Sequence, residues 1–182
     1  DVFFNLCDGA ADQPDLPGIE VILELEAAGV PFTGARSSCY EPTREQMKEV
    51  CRTLGMAAPR GMVVRTAEEV ENAAATLTFP LFVKHHNSYA SVDISRRSKV
   101  MSEAGLRRQA RKIISRHGAA LVEEYVDGPE CTVLAVDNAA DLGRPIVYTP
   151  VQYEFPPGEH FKHSDLKWVD FAGMATKPVA DP

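Results

Sequence analysis

The residues best placed to do chemistry are one lysine and three glutamates. Lys84 lies within the apolar run FPLFVKH, and about forty residues later LVEEYVDGPECTVLAV carries Glu123 and Glu124 before an Asp127-Gly128-Pro129 turn and Glu130 after it. Charged groups on β-type runs sit where a core would not want them, and this pattern has the shape of a nucleotide clamp. Adenosine needs an acceptor for its exocyclic amine, backbone groups for its ring edge, and a carboxylate for two ribose hydroxyls. Glu123, the backbone from Glu124 to Val126, and Glu130 supply these in order. A lysine on a rigid strand is a compact point charge suited to phosphate oxygens. The plainer alternative is that the three glutamates form the solvent face of a hairpin, the ordinary place for Glu.

The elements that must position these residues follow from periodicity and punctuation. A short strand is expected at Val2 to Leu6, then a loop and a helix near Pro17 to Ala28, closed by Gly29. Thr43 with Gln46 forms a capping box, with Met47, Val50, Cys51 and Leu54 at helical spacing and Gly55 as the stop. Thr66 with Glu69 repeats the device for a helix through about Leu77. Glu103 to His117 reads as a helix in which Arg107, Arg108, Arg111 and Lys112 flank an apolar stripe of Leu106, Ala110, Ile113 and Ile114. Strands are expected at Leu81 to His86, Ala119 to Val126, Thr132 to Asp137 and Ile146 to Tyr153. The last thirty residues, rich in Pro, Gly and Lys, read as a long loop. A domain break is expected at Ala57 to Gly61.

Composition narrows the function classes. The chain has 182 residues, 45% of them apolar, enough for one sizeable core or two small ones. Cys7, Cys39, Cys51 and Cys131 lack zinc or redox spacing, so reduced thiols and a cytoplasmic location are expected, and no metal ligands are assigned. No apolar run approaches the roughly 20 residues that span a bilayer. A net charge of −7 argues against nucleic acid as a partner. The charge is uneven, because Lys84 to Gly118 holds nine Lys or Arg against Asp93 and Glu103. On the helix these basic residues read as a solvated face. Around the loop, Lys84, Arg96, Arg97 and Lys99 would attract a polyphosphate.

FPLFVKHHNSYASVDISRRSKV followed by ALVEEYVDGPECTV resembles the ATP-grasp superfamily and, within it, the D-alanine–D-alanine ligase group. The opening segment, with its Gly29-Val30-Pro31-Phe32-Thr33-Gly34 turn, is also similar to that group. The resemblance covers nearly the whole chain. It implies an α/β fold of the α+β ATP-grasp type: residues 1–58 a partial N-terminal α/β domain, and residues 59–182 the central ATP-grasp subdomain with an incomplete start of the C-terminal one. The chain then looks like a fragment that enters on a strand and ends in the loop PVADP.

Residue by residue, the resemblance implies that Lys84 binds phosphate, Glu123 accepts from the adenine amine, Val126 donates its backbone to the ring, and Glu130 accepts from ribose. Glu124 contributes to the same stretch. Arg44 stands where the family carries a phosphate-contacting lysine, with simple exposure on its helix as the alternative. Lys167, in Asp165-Leu166-Lys167-Trp168, would sit near the γ-phosphate, and Lys167 and Ser91 are the expected catalytic residues. Trp168 either helps close the site or is a packing anchor. Tyr89-Ala90-Ser91-Val92-Asp93 replaces a Gly-Ser-Ser-Val-Gly type phosphate loop; Tyr89 restricts backbone approach, and Asp93 adds a like charge beside the phosphates. His85 and His86 are expected to point to opposite faces, one inward and one exposed.

The implied activity is ATP-dependent ligation of a carboxylate to an amine through an acylphosphate, on an amino acid or other small carboxylate. ATP and magnesium are the implied cofactors, the metal's ligands and an oxyanion-stabilising arginine lying beyond this chain in the family. No membrane partner is expected, and a homodimer is left open. The alternatives are a nucleotide-binding or regulatory module without catalysis, and an interaction domain whose basic loop meets an acidic partner.

Overall fold

Both capping boxes form, and each starts the helix that its sequence calls for. In the computed structural model, which describes residues 2–10, 15–169 and 173–179, the chain divides into two compact units, Asp1–Ala58 and Pro59–Pro182.

In the first unit, α1 spans Ile19–Ala27 and α2 spans Arg44–Thr53, with a 3-10 turn at Ser37–Cys39 between them. The Thr43 hydroxyl accepts from the Gln46 N–H at 3.1 Å, and the Gln46 side chain accepts from the Thr43 N–H at 2.7 Å. The strand expected at Val2 to Leu6 is not built. Phe3 alone makes a parallel bridge, to Phe32, through Phe3 N–H to Pro31 O at 2.7 Å and Thr33 N–H to Phe3 O at 3.0 Å. With one short partner segment and with Val2, Phe4 and Leu6 exposed, nothing extends that ladder.

In the second unit a four-stranded antiparallel sheet has the order β1-β4-β2-β3. Its strands are β1 (Gly61–Val64), β2 (Leu81–His85), β3 (Lys99–Val100) and β4 (Ala120–Glu124). Helices α3 (Ala67–Thr76) and α4 (Glu103–His117) pack on one face. Val64, Leu81, Val83, Val100, Ala120 and Val122 meet Val70, Ala73, Leu106, Ala110 and Ile113 there in one buried cluster. Helices on one side of an antiparallel sheet make an α+β layer. The α4 stripe lies as its spacing predicts, and Gly118 closes the helix at φ +76°, where an L side chain would be strained.

The expected strands after the Asp127 turn are each split in two. Strands β5 (Cys131–Thr132) and β6 (Ala135–Val136) face β8 (Val151–Glu154) and β7 (Ile146–Val147) respectively. Thr132 opposes Val151 but Ala135 opposes Val147, so one strand carries an extra residue between the two pairings. The two pairings belong to separate sheets, β5 with β8 and β6 with β7, and they part where Pro150 has no N–H to give a ladder. The terminal segment is not one long loop. It contains α5 (Ser164–Trp168) and β9 (Ala175–Pro178), the latter paired with β8. β9 is exposed throughout, so it has no apolar alternation to betray it. Part of the expected PVADP loop, residues 180–182, lies outside the described residues.

Candidate nucleotide-binding site

Alternation along the strands puts Leu81, Val83 and Val122 toward the helices, and Phe82, Lys84, Lys99, Leu121 and Glu123 on the opposite face. Phe82 is directly opposite Glu123, which places Lys84 diagonally across from that carboxylate. The two pair at 2.5 Å, with side chains 20% and 7% exposed. Gly61 lies opposite Glu123 on the other side. A Cβ at Gly61 would stand 2.6 Å from Val122 O and 2.8 Å from Glu123 Cγ, so the missing side chain makes room for the carboxylate.

Around this pair stands an aromatic wall that the sequence did not single out. Phe161 meets Phe82 edge to face at 5.0 Å, and Tyr125 lies 6.1 Å from Phe82 and 6.3 Å from Phe161. Lys99 Nζ is 3.8 Å from the Tyr125 ring centre. Burial, then the Asp127 and Glu130 charges, push the Tyr125 hydroxyl above its ordinary range. It stays a neutral donor, toward His160 O at 3.4 Å. Flat apolar surface beside two lysines and a carboxylate suits a base that carries an anionic chain. The signal for the wall was Phe82 and Tyr125 at the strand positions that share a face with Lys84 and Glu123.

The other expected residues divide. Glu124 turns to the helix side, where its carboxylate accepts from Thr78 N–H at 2.9 Å and lies 3.6 Å from Arg60; its side chain does not join Glu123. Its own N–H donates to Arg60 O and that of Tyr125 to Pro80 O, whereas Val126 has left the sheet and is exposed. Glu130 accepts from the Lys162 N–H at 3.0 Å, tying the residue after Phe161 to the far side of the turn. Arg44 is the first residue of α2 in the other unit and is half-buried.

The loop that replaces the glycine-rich segment keeps left-handed backbone without glycine: Ala90, Ser91 and Asp93 have φ of +55°, +63° and +54°. Such conformations persist in non-glycine residues only where surroundings hold them. Asp93 does not add a like charge at the phosphate side. Its carboxylate meets the C-terminal part of α4, with His117 at 2.7 Å, Arg116 at 2.5 Å and Lys112 at 3.3 Å. Burial pushes this carboxyl up, but those bonds and charges outweigh it and hold Asp93 below its ordinary value. The Trp168 indole N–H donates to Ala90 O at 3.1 Å, Ser91 Oγ reaches Lys162 O at 3.5 Å, and Ser164 N–H donates to Ile94 O at 3.0 Å. At 61% exposure Trp168 buries too little to be a packing anchor. Lys167 Nζ is 5.0 Å from its ring.

His85 is inward as expected, its Nδ1 accepting from Asn87 N–H at 3.0 Å, but His86 does not turn out to solvent. β2 ends at His85, so strand alternation stops there, and the two rings stack at 4.7 Å with His117 a further neighbour of His85 at 4.4 Å. Among the described residues no three His, Cys, Asp or Glu side chains gather to hold a metal, and no helix is long and apolar enough to cross a membrane. The four cysteines are free thiols.

The sheet and its helices make an ATP-grasp fold, as the solved structures that superpose on it show. D-alanyl-alanine synthetase A of Vibrio cholerae superposes with a TM-score of 0.71 at 20% identity, over 97% of this chain and 51% of that one. The D-alanine–D-alanine ligase of Bacillus anthracis, solved in complex with ATP, superposes with a TM-score of 0.60 at 16% identity, over 97% and 49%. The D-alanine–D-alanine ligase of Pseudomonas fluorescens is 33% identical over 111 residues, 60% of this chain and 33% of that protein. The profile of the D-ala D-ala ligase C-terminus family matches residues 51–155, and the chain belongs to that family. It spans between a third and about half of the length of the relatives it matches.

Proposed function

We propose that the second unit binds ATP on the sheet face opposite its helices and serves an ATP-dependent carboxylate–amine ligase of the D-alanine–D-alanine ligase type. The observation that carries this reading is the Lys84–Glu123 pair beside the Phe82, Tyr125 and Phe161 wall. The base lies along the rings, with Val126 N–H toward its edge and Glu130 toward ribose. The triphosphate competes for Lys84, which frees the Glu123 carboxylate to accept the exocyclic amine. Lys167 and Ser91, on segments that meet in the structure, face the γ-phosphate. ATP supplies the phosphoryl group.

A carboxylate oxygen of a small substrate attacks that phosphorus and ADP leaves; an amine then attacks the acylphosphate carbonyl, loses a proton, and phosphate departs as the C–N bond forms. Fixed positive charge at Lys84 and Lys167 lowers the cost of the first step. Among the described residues no three His, Cys, Asp or Glu side chains gather to hold magnesium. In this reading the first unit is the partial N-terminal domain, and the second is the central subdomain with the start of the C-terminal one. The match to ligases in both sequence and fold supports this enzyme reading over a module that binds nucleotide without turnover.

The test is ADP release from ATP in the presence of D-alanine, D-serine or other small amino acids. Release that depends on the amino acid and is lost in Lys84→Met supports the reading. ATP binding with no release for any amino acid, by this chain joined to the metal-ligand segment that the family carries beyond it, overturns the ligase assignment.

A further inference from the structure

The segment carrying Phe161 and Lys167 is held to the phosphate-side loop by a second set of contacts outside the clamp. His163 is fully buried, although it precedes a five-residue helix at the protein surface. Its Nδ1 accepts from the Leu166 N–H at 3.4 Å, which places the proton on Nε2, facing Glu159 Oε2 at 3.1 Å. Glu159 in turn accepts from Arg96 Nε at 2.7 Å and pairs with the same guanidinium through Nη2. Arg96 follows the loop that contains Ala90 and Ser91. Burial raises the Glu159 carboxyl, yet Arg96 and His163 outweigh that and hold it below its ordinary value. Leu166, next to Lys167, is buried beneath the same helix.

We propose that Arg96, Glu159 and His163 are positioning residues that lock the 159–168 segment onto the 90–96 loop and thereby set where Lys167 stands. That Lys167 faces phosphate rests on the reading above; the lock itself does not. The imidazole does two separable jobs. Its Nδ1 caps α5, and its Nε2–H holds Glu159, whose other oxygen holds Arg96. The indole N–H of Trp168 on Ala90 O is the distal end of the lock, and Trp168 is the one tryptophan in the chain.

A single indole N–H resonance therefore reads the lock directly, and ¹H–¹⁵N spectra of the ligand-free chain measure its exchange with water. Arg96→Met, at an exposed guanidinium, and His163→Leu should each speed that exchange about tenfold, the loss of one charge-assisted hydrogen bond. His163→Asn places an acceptor where Nδ1 stood and should recover the cap alone. His163→Gln places a donor where Nε2 stood and should recover the Glu159 link alone. Each should restore part of the protection. Should His163→Leu fail to fold, Arg96→Met still decides. Unchanged exchange in folded Arg96→Met overturns the proposal, as does equal exchange in the Leu, Asn and Gln variants. Failure of the wild-type chain to bind ATP, with the indole protected in wild type and released in Arg96→Met, removes the nucleotide reading and supports the lock.

Discussion

The Lys84–Glu123 pair has an energetic signature that separates it from a surface ion pair. Its lysine is 20% exposed and its carboxylate 7%. Lys84→Met leaves Glu123 charged against Gly61 and Phe82 without its partner. Breaking a fully buried pair costs about 3–5 kcal/mol; water reaches Lys84 in part, so about 2–3 kcal/mol is expected. Glu123→Gln should cost less, about 1–2 kcal/mol, because the lysine stem can carry its ammonium outward. In the double variant Lys84→Met/Glu123→Gln no unpaired charge is left, and the total loss should fall below that of Lys84→Met, to about 1–2 kcal/mol. The coupling energy is then about 2–3 kcal/mol, well above the roughly 0.5 kcal/mol within which independent sites add. Urea unfolding of the four proteins, with equal slopes in denaturant, measures it. Strictly additive losses would refute the argument that the pair is buried and mutually dependent.

Gly61→Val should cost about 1–3 kcal/mol by overpacking against Val122 O and Glu123, and should weaken ATP binding as the carboxylate is displaced; thermal unfolding and calorimetry check the two effects. Ile113→Ala, in the fully buried stripe of α4, should cost about 2–5 kcal/mol in urea unfolding and leave the binding constant for ATP unchanged in the folded fraction. Asp93, held low by His117, Lys112 and Arg116 after burial is outweighed, contributes stability that is present above its unfolded pKa and lost as pH falls through its folded one. Acid titration of the Tm should therefore fall less steeply below about pH 4, the ordinary carboxylate range, in Asp93→Asn than in wild type.

What the sequence makes legible depends on where each signal lives. Capping boxes at Thr43 and Thr66 and the glycine stops at Gly29 and Gly55 are local chemistry, and all of them form. The α4 stripe and the paired runs of β2 and β4 are written in apolar period, so the face shared by Lys84 and Glu123 is readable. Glu124 is adjacent in sequence and opposite in space, a consequence of the same alternation. The register shift at Pro150 depends on which residues pair, and β9 depends on β8, so neither has a local mark. α5 escaped because its cap is a histidine instead of Ser, Thr, Asp or Asn. Asp93 looked like a charge beside phosphate because its partners Lys112, Arg116 and His117 come from α4, about twenty residues on.

Calorimetric titration of the chain with ATP, beside Lys84→Met shown to be folded by its indole resonance, tests the central claim most directly. One saturable site, weakened at least about tenfold in the variant, the worth of one charge-assisted contact, is the predicted result. No saturable heat from the folded wild-type chain, or equal binding by Lys84→Met, would contradict a nucleotide clamp built on that face of the sheet.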